Sequence, residues 1–482
     1  MTEEAAATHY DGRRFVRNFG TSVAGEAVAK GAAFFAGILV ARTLTPDDYG
    51  RFSFVAALTS IGLIVSDVGL QVATTRMIAA DRQRAAELYG AAIVLGEALA
   101  AVAYAVLVAL AATGVLPNDV AGPLAIYGTI LLLAAAFNPA CSVLRGHERQ
   151  DLVYASYSLA SVTLLAAVAA AAVVGASLEA ICVLYAASNL VRLGATYVAL
   201  RTGVGAMRPR FTRPALRLLL RTTPAMAIAV SMLGVYAHVD VFLLGLLVPP
   251  ADVGDYAAAY RLVDASTFLT AGALTAVTLP IFARVAQVDR AAARDLYDRL
   301  ARLLTALLVP SALVLAALSG PIIRIVYGPE LEGAGRLLAL LSPSIPLIAA
   351  NYLTVFLAIG VGLTRVAVVV TVVGALVNIG VNLAAIPPLG VEGAALATYV
   401  TEALLVAAFA VMLTRARFGS RGFVAVASGA VLVAVPFLLA EAFDDARGPI
   451  LVAGAAVAAA VAWLAGFVRR EDVAALRRAV GR

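Results

Sequence analysis

Apolar runs long enough to cross a bilayer recur fourteen times along this chain, broken by short polar gaps. An α-helix rises about 1.5 Å per residue, so about 20 apolar residues span a hydrocarbon core about 30 Å thick. The pattern predicts spans over residues 20–44, 51–75, 85–113, 122–144, 152–174, 177–200, 216–247, 253–283, 300–320, 335–360, 364–386, 391–414, 422–441 and 449–468. The expected fold is an all-α polytopic membrane protein. The polar start MTEEAAATHYDGRRFVRNFG lacks the apolar core and small-residue cleavage site of a secretory signal, so the first span is expected to stay as an uncleaved anchor.

Charge adds an orientation. Only 14% of residues are charged and 62% are hydrophobic, against about 25% charged in a typical soluble domain, which leaves no room for a large water-soluble domain. Counted gap by gap, 28 arginines fall on one side of the predicted membrane and only Arg42, Arg51, Arg324, Arg336 and Arg447 on the other. Short arginine-rich loops stay cytoplasmic, so both termini are expected inside a multi-pass protein of the cell membrane. The net charge of +6 is thereby a topological signal. No basic patch on a soluble face points to nucleic acid as a partner.

Several chemistries are excluded by what the gaps and spans lack. Cys141 and Cys182 both fall inside predicted spans and have no CxxC partner, so thiol packing is expected. His9, His147 and His238 form no cluster at zinc spacing. There is no GKS or GKT phosphate loop, which excludes an ATP-driven pump on this chain alone. No nucleophile stands beside a base, and the external gaps are too short for the catalytic loop of a glycan polymerase or ligase. The chain reads as a transporter, not an enzyme, with no cofactor.

The chain also repeats itself. Pro46, Asp48, Gly50 and Phe52 leave span 1, and Pro250, Asp252, Gly254 and Tyr256 leave span 7, each pair 204 residues apart. Proline ends one helix, aspartate caps the next, and glycine lets helix ends approach. Both copies begin on odd-numbered spans, which predicts parallel repeats about an axis along the membrane normal. The expected organisation is a lobe over 1–200, a basic linker over 201–214 and a second lobe over 215–415. Beyond these lie a trailing helix pair over 416–469 and a basic tail over 470–482, read as a short amphipathic helix on the inner leaflet.

Five segments carry a resemblance: ARTLTPDDYGRFSF, SDVGLQVATTR, HVDVFLLGLLVPPADVGDYAAAYRLVD, IIRIVYGPELEGAGRLLALLSPSIP and NIGVNLAAIPPLGVEGAALAT. In this order they resemble oligosaccharide flippases of the multidrug/oligosaccharidyl-lipid/polysaccharide (MOP) exporter superfamily. The stretch with Asn378, Asn382, Ile386, Pro387, Gly390, Gly393, Ala394 and Ala395 is the most characteristic. The resemblance implies two six-helix bundles that face inward and outward in turn to carry a lipid-linked sugar. Glycosyltransferases or the polymerase of the same pathway would be its partners.

Charges inside the spans mark the candidate route. Glu26, Lys30, Asp67, Glu97, Arg192, Asp240, Arg261, Asp264 and Glu402 all sit at depth. At about 2.5–3.5 kcal/mol each on insertion scales, none is expected to face lipid. Lys30, Arg192 and Arg261 are the only basic residues at depth and are the candidates for a phosphate or diphosphate head group, for which arginine offers bidentate geometry. Glu26, Asp67, Glu97, Asp240, Asp264 and Glu402 are candidates for a gate or for proton or sodium coupling. Glu26 with Lys30, and Arg261 with Asp264, share helix faces, and Asp240 with Arg261 is a candidate ion pair across the hairpin. The polar pairs Asn378 with Asn382 and Ser66 with Gln71 are read as helix contacts. A lipid-linked oligosaccharide flippase is the first reading, and a cation-coupled exporter of small amphiphiles, similar to multidrug antiporters, is the alternative.

Overall fold

The computed structural model describes residues 12–267, 282, 284–286, 289–416, 418, 422–443 and 446–464, and every regular element among them is helical. Eleven segments are long and apolar enough to cross a membrane: Ala24–Thr43, Pro46–Ala80, Arg82–Ala112, Ala121–Gly146, Gln150–Val173, Leu178–Gly203, Arg290–Ala317, Gly333–Gly360, Thr364–Leu389, Val391–Arg415 and Gly422–Ala442. A shorter apolar helix covers Arg447–Trp463. Two of the fourteen expected spans are not among these twelve segments. The one over 216–247 is broken into two helices at Ala237 and His238, and the one over 253–283 starts at Pro250 and passes beyond the described residues after Thr267. The expected tail over 470–482 also lies outside the described residues.

The chain divides into two compact units, Met1–His238 and Val239–Arg482. The first holds α1 (Gly12–Thr43), α2 (Pro46–Asp67), α3 (Leu70–Ala80), α4 (Ala85–Ala112), α5 (Ala121–Tyr127), α6 (Ile130–Gly146), α7 (Gln150–Val173), α8 (Leu178–Gly203) and α9 (Arg213–Tyr236). The second holds α10 (Val239–Leu247), α11 (Pro250–Thr267), α12 (Arg290–Ala317), α13 (Ser319–Val326), α14 (Gly333–Leu341), α15 (Ile345–Gly360), α16 (Thr364–Leu389), α17 (Val391–Arg415), α18 (Gly422–Ala442) and α19 (Arg447–Leu464).

The repeat seen in the sequence is also a repeat of helix ends. The helix α1 ends at Thr43 and α2 begins at Pro46, while α10 ends at Leu247 and α11 begins at Pro250, both 204 residues later. In the first copy, Thr45 Oγ1 accepts the Asp48 N–H at 3.2 Å, and Pro46 occupies a first-turn position whose N–H would have no intrahelical partner. Further on, DRQRAAELYG from Asp81 and DRAAARDLYD from Asp289 align at a spacing of 208. Asp81 accepts from the Gln83 N–H at 3.1 Å ahead of α4, and Asp289 accepts from the Ala291 N–H at 2.7 Å ahead of α12. Packing repeats as well. In the first unit α4 lies on α6, α6 on α8, α7 on α8 and α1 along α7; in the second, α12 lies on α15, α15 on α17, α16 on α17 and α10 on α16.

The second span is not one helix. Val68 (φ 38°) and Gly69 (φ 75°) take left-handed backbone and separate α2 from α3, a conformation that costs a β-branched residue strain. The segment expected as a linker over 201–214 is docked on the first unit. The Arg210 N–H donates to the Ala86 carbonyl at 2.9 Å, and Ala215 and Leu219 of α9 are buried with Leu88 and Tyr89 of α4. Gly90 makes the approach possible, because a Cβ there would lie 2.5 Å from the Arg210 carbonyl carbon. Gly90→Ala is therefore expected to cost about 1–3 kcal/mol and to lower the melting temperature of the purified protein. Gly122→Ala, where a Cβ meets nothing within 4 Å, is its control.

Candidate functional site

The most polar buried cluster among the described residues centres on Asp240, in the first turn of α10 and 7% exposed. Its Oδ2 accepts from the Tyr256 hydroxyl of α11 and from Thr398 Oγ1 of α17, each at 3.1 Å. Its Oδ1 accepts from Asn382 Nδ2 of α16 at 2.7 Å. Asn382 Nδ2 also reaches Asn378 Oδ1 at 3.2 Å, and Asn378 Nδ2 donates to Thr401 Oγ1 at 3.4 Å. Four helices of the second unit thus converge on one carboxylate, and the donors that meet it are neutral groups where the sequence suggested the cation Arg261. The Asn382 side-chain Oδ1 is buried and meets no hydrogen-bond donor among the described residues. An orphaned acceptor beside a buried carboxylate is costly unless something positive comes to it. Asp240, Asn378, Asn382 and Thr398 supply the oxygen ligands that a hard cation takes, and a proton on Asp240 would serve the same charge balance.

One turn further along α17, Glu402 is 4% exposed, and its Oε2 accepts from Asn351 Nδ2 of α15 at 2.6 Å. The same amide nitrogen reaches the Glu402 carbonyl at 3.0 Å, and the Asn351 Oδ1 is a second orphaned acceptor. Tyr260 stacks on Tyr256 with ring centroids 5.9 Å apart. Tyr260 and Tyr352 both lie within the electrostatic reach of Asp264 and Glu402. The second unit therefore buries Asp240 on α10 and Glu402 on α17, while on α11 Arg261 is partly buried and Asp264 is exposed.

The first unit holds the other candidates apart. Glu26 and Lys30 pair at 3.0 Å on α1 with both side chains about a third or more exposed. Arg192 is stacked between two rings, its guanidinium carbon 4.3 Å from the Phe137 centroid and 4.5 Å from that of Tyr157, and its Nε is buried without an acceptor among the described residues. Asp67 closes α2, with the backbone N–H groups of Gly69 and Gln71 within its electrostatic reach at the start of α3. Gln71 in turn accepts from Arg145 at 2.6 Å. Beside them lies a cavity of ≈ 20 Å³, lined by Ser66, Asp67, Gln71, Thr74, Asn138 and Ser142 among others, room for about one water. Glu97 stands by itself on α4. Cys141 and Cys182 are free and buried, in line with thiol packing.

Tyr256, Thr398 and Asn351 are among the site residues that sequence reasoning missed. The first two carried a signal: Tyr256 is the aromatic position of the repeat, and Thr398 lies one turn before Glu402 in the most characteristic segment.

Comparison by sequence with curated proteins gives no match. Solved structures share the fold. The lipid II flippase MurJ in an inward closed conformation superposes with a TM-score of 0.71 at 12% identity, over 96% of this chain and 99% of that one. A multidrug resistance MATE family transporter of the MOP superfamily, inward-facing, gives 0.66 at 15% identity over 81% and 94%. A MOP superfamily transporter from Pyrococcus furiosus gives 0.55 at 13% over 84% and 95%. A family model described as polysaccharide biosynthesis protein matches residues 39–334, more than half of the chain and across the junction of its two units. The chain belongs to the polysaccharide biosynthesis protein family, and it shares the multi-pass helical fold of MOP superfamily transporters.

Proposed function

We propose that this protein is a flippase that moves a lipid-linked oligosaccharide across the cell membrane by alternating access, for assembly of surface polysaccharide or glycoconjugate. The observation that carries the reading is the match to polysaccharide biosynthesis proteins over residues 39–334. The likeness to a lipid II flippase over nearly the whole chain supports the lipid-linked class of substrate. In this reading the chain crosses the membrane fourteen times with both termini cytoplasmic, and the glycan pathway's glycosyltransferases or polymerase are its partners.

The chemistry divides between cations and carboxylates. Arg192 keeps a buried N–H without an acceptor, and stacking leaves the in-plane donors of a guanidinium free for phosphate oxygens. Lys30 and Arg261 complete the set proposed to meet the head group as the lobes alternate. Asp240 with Asn378, Asn382 and Thr398 is the proposed seat of the coupling sodium ion or proton. An amide that now donates to Asp240 presents its oxygen after a half-turn of its terminal torsion, so Asn382 can serve the carboxylate or a cation. Emptying the site leaves the carboxylate held by neutral donors. Filling it changes the charge at the meeting point of α10, α11, α16 and α17, which biases one arrangement of these helices over another.

The test is the leaflet in which the lipid-linked glycan resides in cells lacking the protein, read with an impermeant glycosidase. Accumulation on the cytoplasmic side, relieved by the intact chain, is expected. Arg261→Ala is expected to lose that relief while inserting into the membrane at the wild-type level, and normal relief would assign Arg261 to structure alone. A second reading, a cation-coupled exporter of small amphiphiles, draws on the similarity to MATE transporters and on the buried carboxylate. It predicts an unchanged glycan distribution and an altered tolerance to amphiphilic cations.

A further inference from the structure

The two repeats differ in what covers their third span. In the second unit, α18 and α19 lie along one face of α12. Tyr297, Ala301, Thr305, Val309 and Leu313 on that face are all buried, at 0–6% exposure. Gly422 sits against Tyr297 and Ala301, Gly429 against Thr305 and Val309, and the Gly422 N–H donates to Asp298 at 2.8 Å. The 208-residue spacing places Tyr89, Ile93, Glu97, Ala101 and Ala105 at the same positions of α4. Tyr89 is buried, beside the docked segment at Arg210, but beyond it the face opens. Glu97 is partly exposed, Ala101 and Ala105 are exposed, and the flanking Val94, Val102 and Val106 are 46%, 64% and 50% exposed.

Glu97 lies twelve residues into α4, about 18 Å along the helix and near mid-membrane. Its carboxylate has no hydrogen bond or ion pair with any described residue. Glu97 is thus one of the spanning charges that the fold leaves unsheltered, as it does Asp264 on α11, and it lies on the face that its repeat partner keeps covered. A carboxylate at that depth among valines and alanines calls for a donor. Alanines at four-residue spacing let another helix backbone approach closely.

We infer that this face of α4 docks a transmembrane helix of a separate polypeptide, one with small residues against Ala101 and Ala105 and a basic side chain at the depth of Glu97. Charge complementarity selects that occupant. A symmetric contact with α4 of a second copy would set two Glu97 carboxylates against each other, and the chain's own α18 and α19 are already seated on α12. The inference is independent of what the protein transports.

The test uses purified full-length protein in phosphatidylcholine vesicles with synthetic leucine–alanine membrane-spanning peptides bearing a glycine stripe and either lysine or leucine at the centre. Association is read by fluorescence energy transfer. The lysine peptide is expected to bind about tenfold more tightly than the leucine peptide. Glu97→Gln is expected to erase that preference, and Ala105→Trp to weaken binding of both peptides. Glu97→Gln removes a charge from an apolar face, and unchanged thermal unfolding will show that it folds. Equal binding of the two peptides overturns the inference, as does a lysine preference that survives Glu97→Gln. A photo-crosslinker at Ala101 that joins two copies of this chain in place of chain to peptide overturns it too.

Discussion

Asp240→Asn is expected to abolish the dependence of transport on the coupling ion and to cut translocation at least about tenfold, with the protein still inserted and folded. The substitution keeps shape and removes charge. Wild-type Asp240 offers two oxygens to three donors, those of Tyr256, Thr398 and Asn382. The amide keeps one oxygen and turns an N–H₂ toward the others, so one buried donor goes unmet at about 1–3 kcal/mol, a cost a large membrane domain survives. The charge that attracts a cation is gone altogether. A ligand that binds only the folded state raises stability by RT ln(1 + [L]/Kd). The melting temperature of the wild-type protein should therefore climb with sodium at constant ionic strength, or fall off with pH if the ligand is a proton, and that of Asp240→Asn should do neither. A variant that transports at the wild-type rate with the same ion response would remove Asp240 from the coupling machinery and leave it a helix staple.

Much of this geometry could be read from the chain, and the exceptions have physical causes. Helix ends were legible where proline and aspartate declare them, as at Pro46 and Pro250. The break at Val68 and Gly69 was not, because the surrounding hydropathy is continuous and a single left-handed turn leaves it so. Nor was the break at Ala237 and His238. Asp240 stood out as a charge in an apolar run, and the nearest opposite charge in sequence, Arg261, was the natural partner to assign. Its actual partners come from 16, 142 and 158 residues away, and nothing in local spacing favours hydroxyl and amide donors over a guanidinium. Asn378 and Asn382 were visible as a polar pair at one-turn spacing, but what they face depends on how α16 crosses α10. Arg192 had the same limit, since Phe137 and Tyr157 flank it only after three helices have packed.

Gly393→Ala is expected to unfold the second unit at a markedly lower temperature and to take the ion response with it. The chain reverses between α16 and α17 at Gly390, whose φ of 59° and ψ of −139° belong to a region that essentially only glycine occupies. The two helices then run so close that a Cβ on Gly393 would lie 2.5 Å from the Ala385 carbonyl carbon and 2.9 Å from the Ile386 nitrogen. Backbone cannot yield as a side chain does, so the hairpin must open, at about 1–3 kcal/mol or more. Asn382 and Thr398 stand eight residues to either side of Gly390, about 12 Å along each helix from the turn. Splaying the turn therefore separates the two groups that clamp Asp240 from opposite sides. Gly380→Ala is the matched control on α16, because a Cβ there meets nothing within 4 Å and alanine favours the helix by about 1 kcal/mol. It should unfold at or above the wild-type temperature and keep the ion response. If Gly393→Ala instead melts like wild type and still responds to the ion, the site does not depend on the close approach of α16 and α17, and the glycines of this segment serve the turn alone.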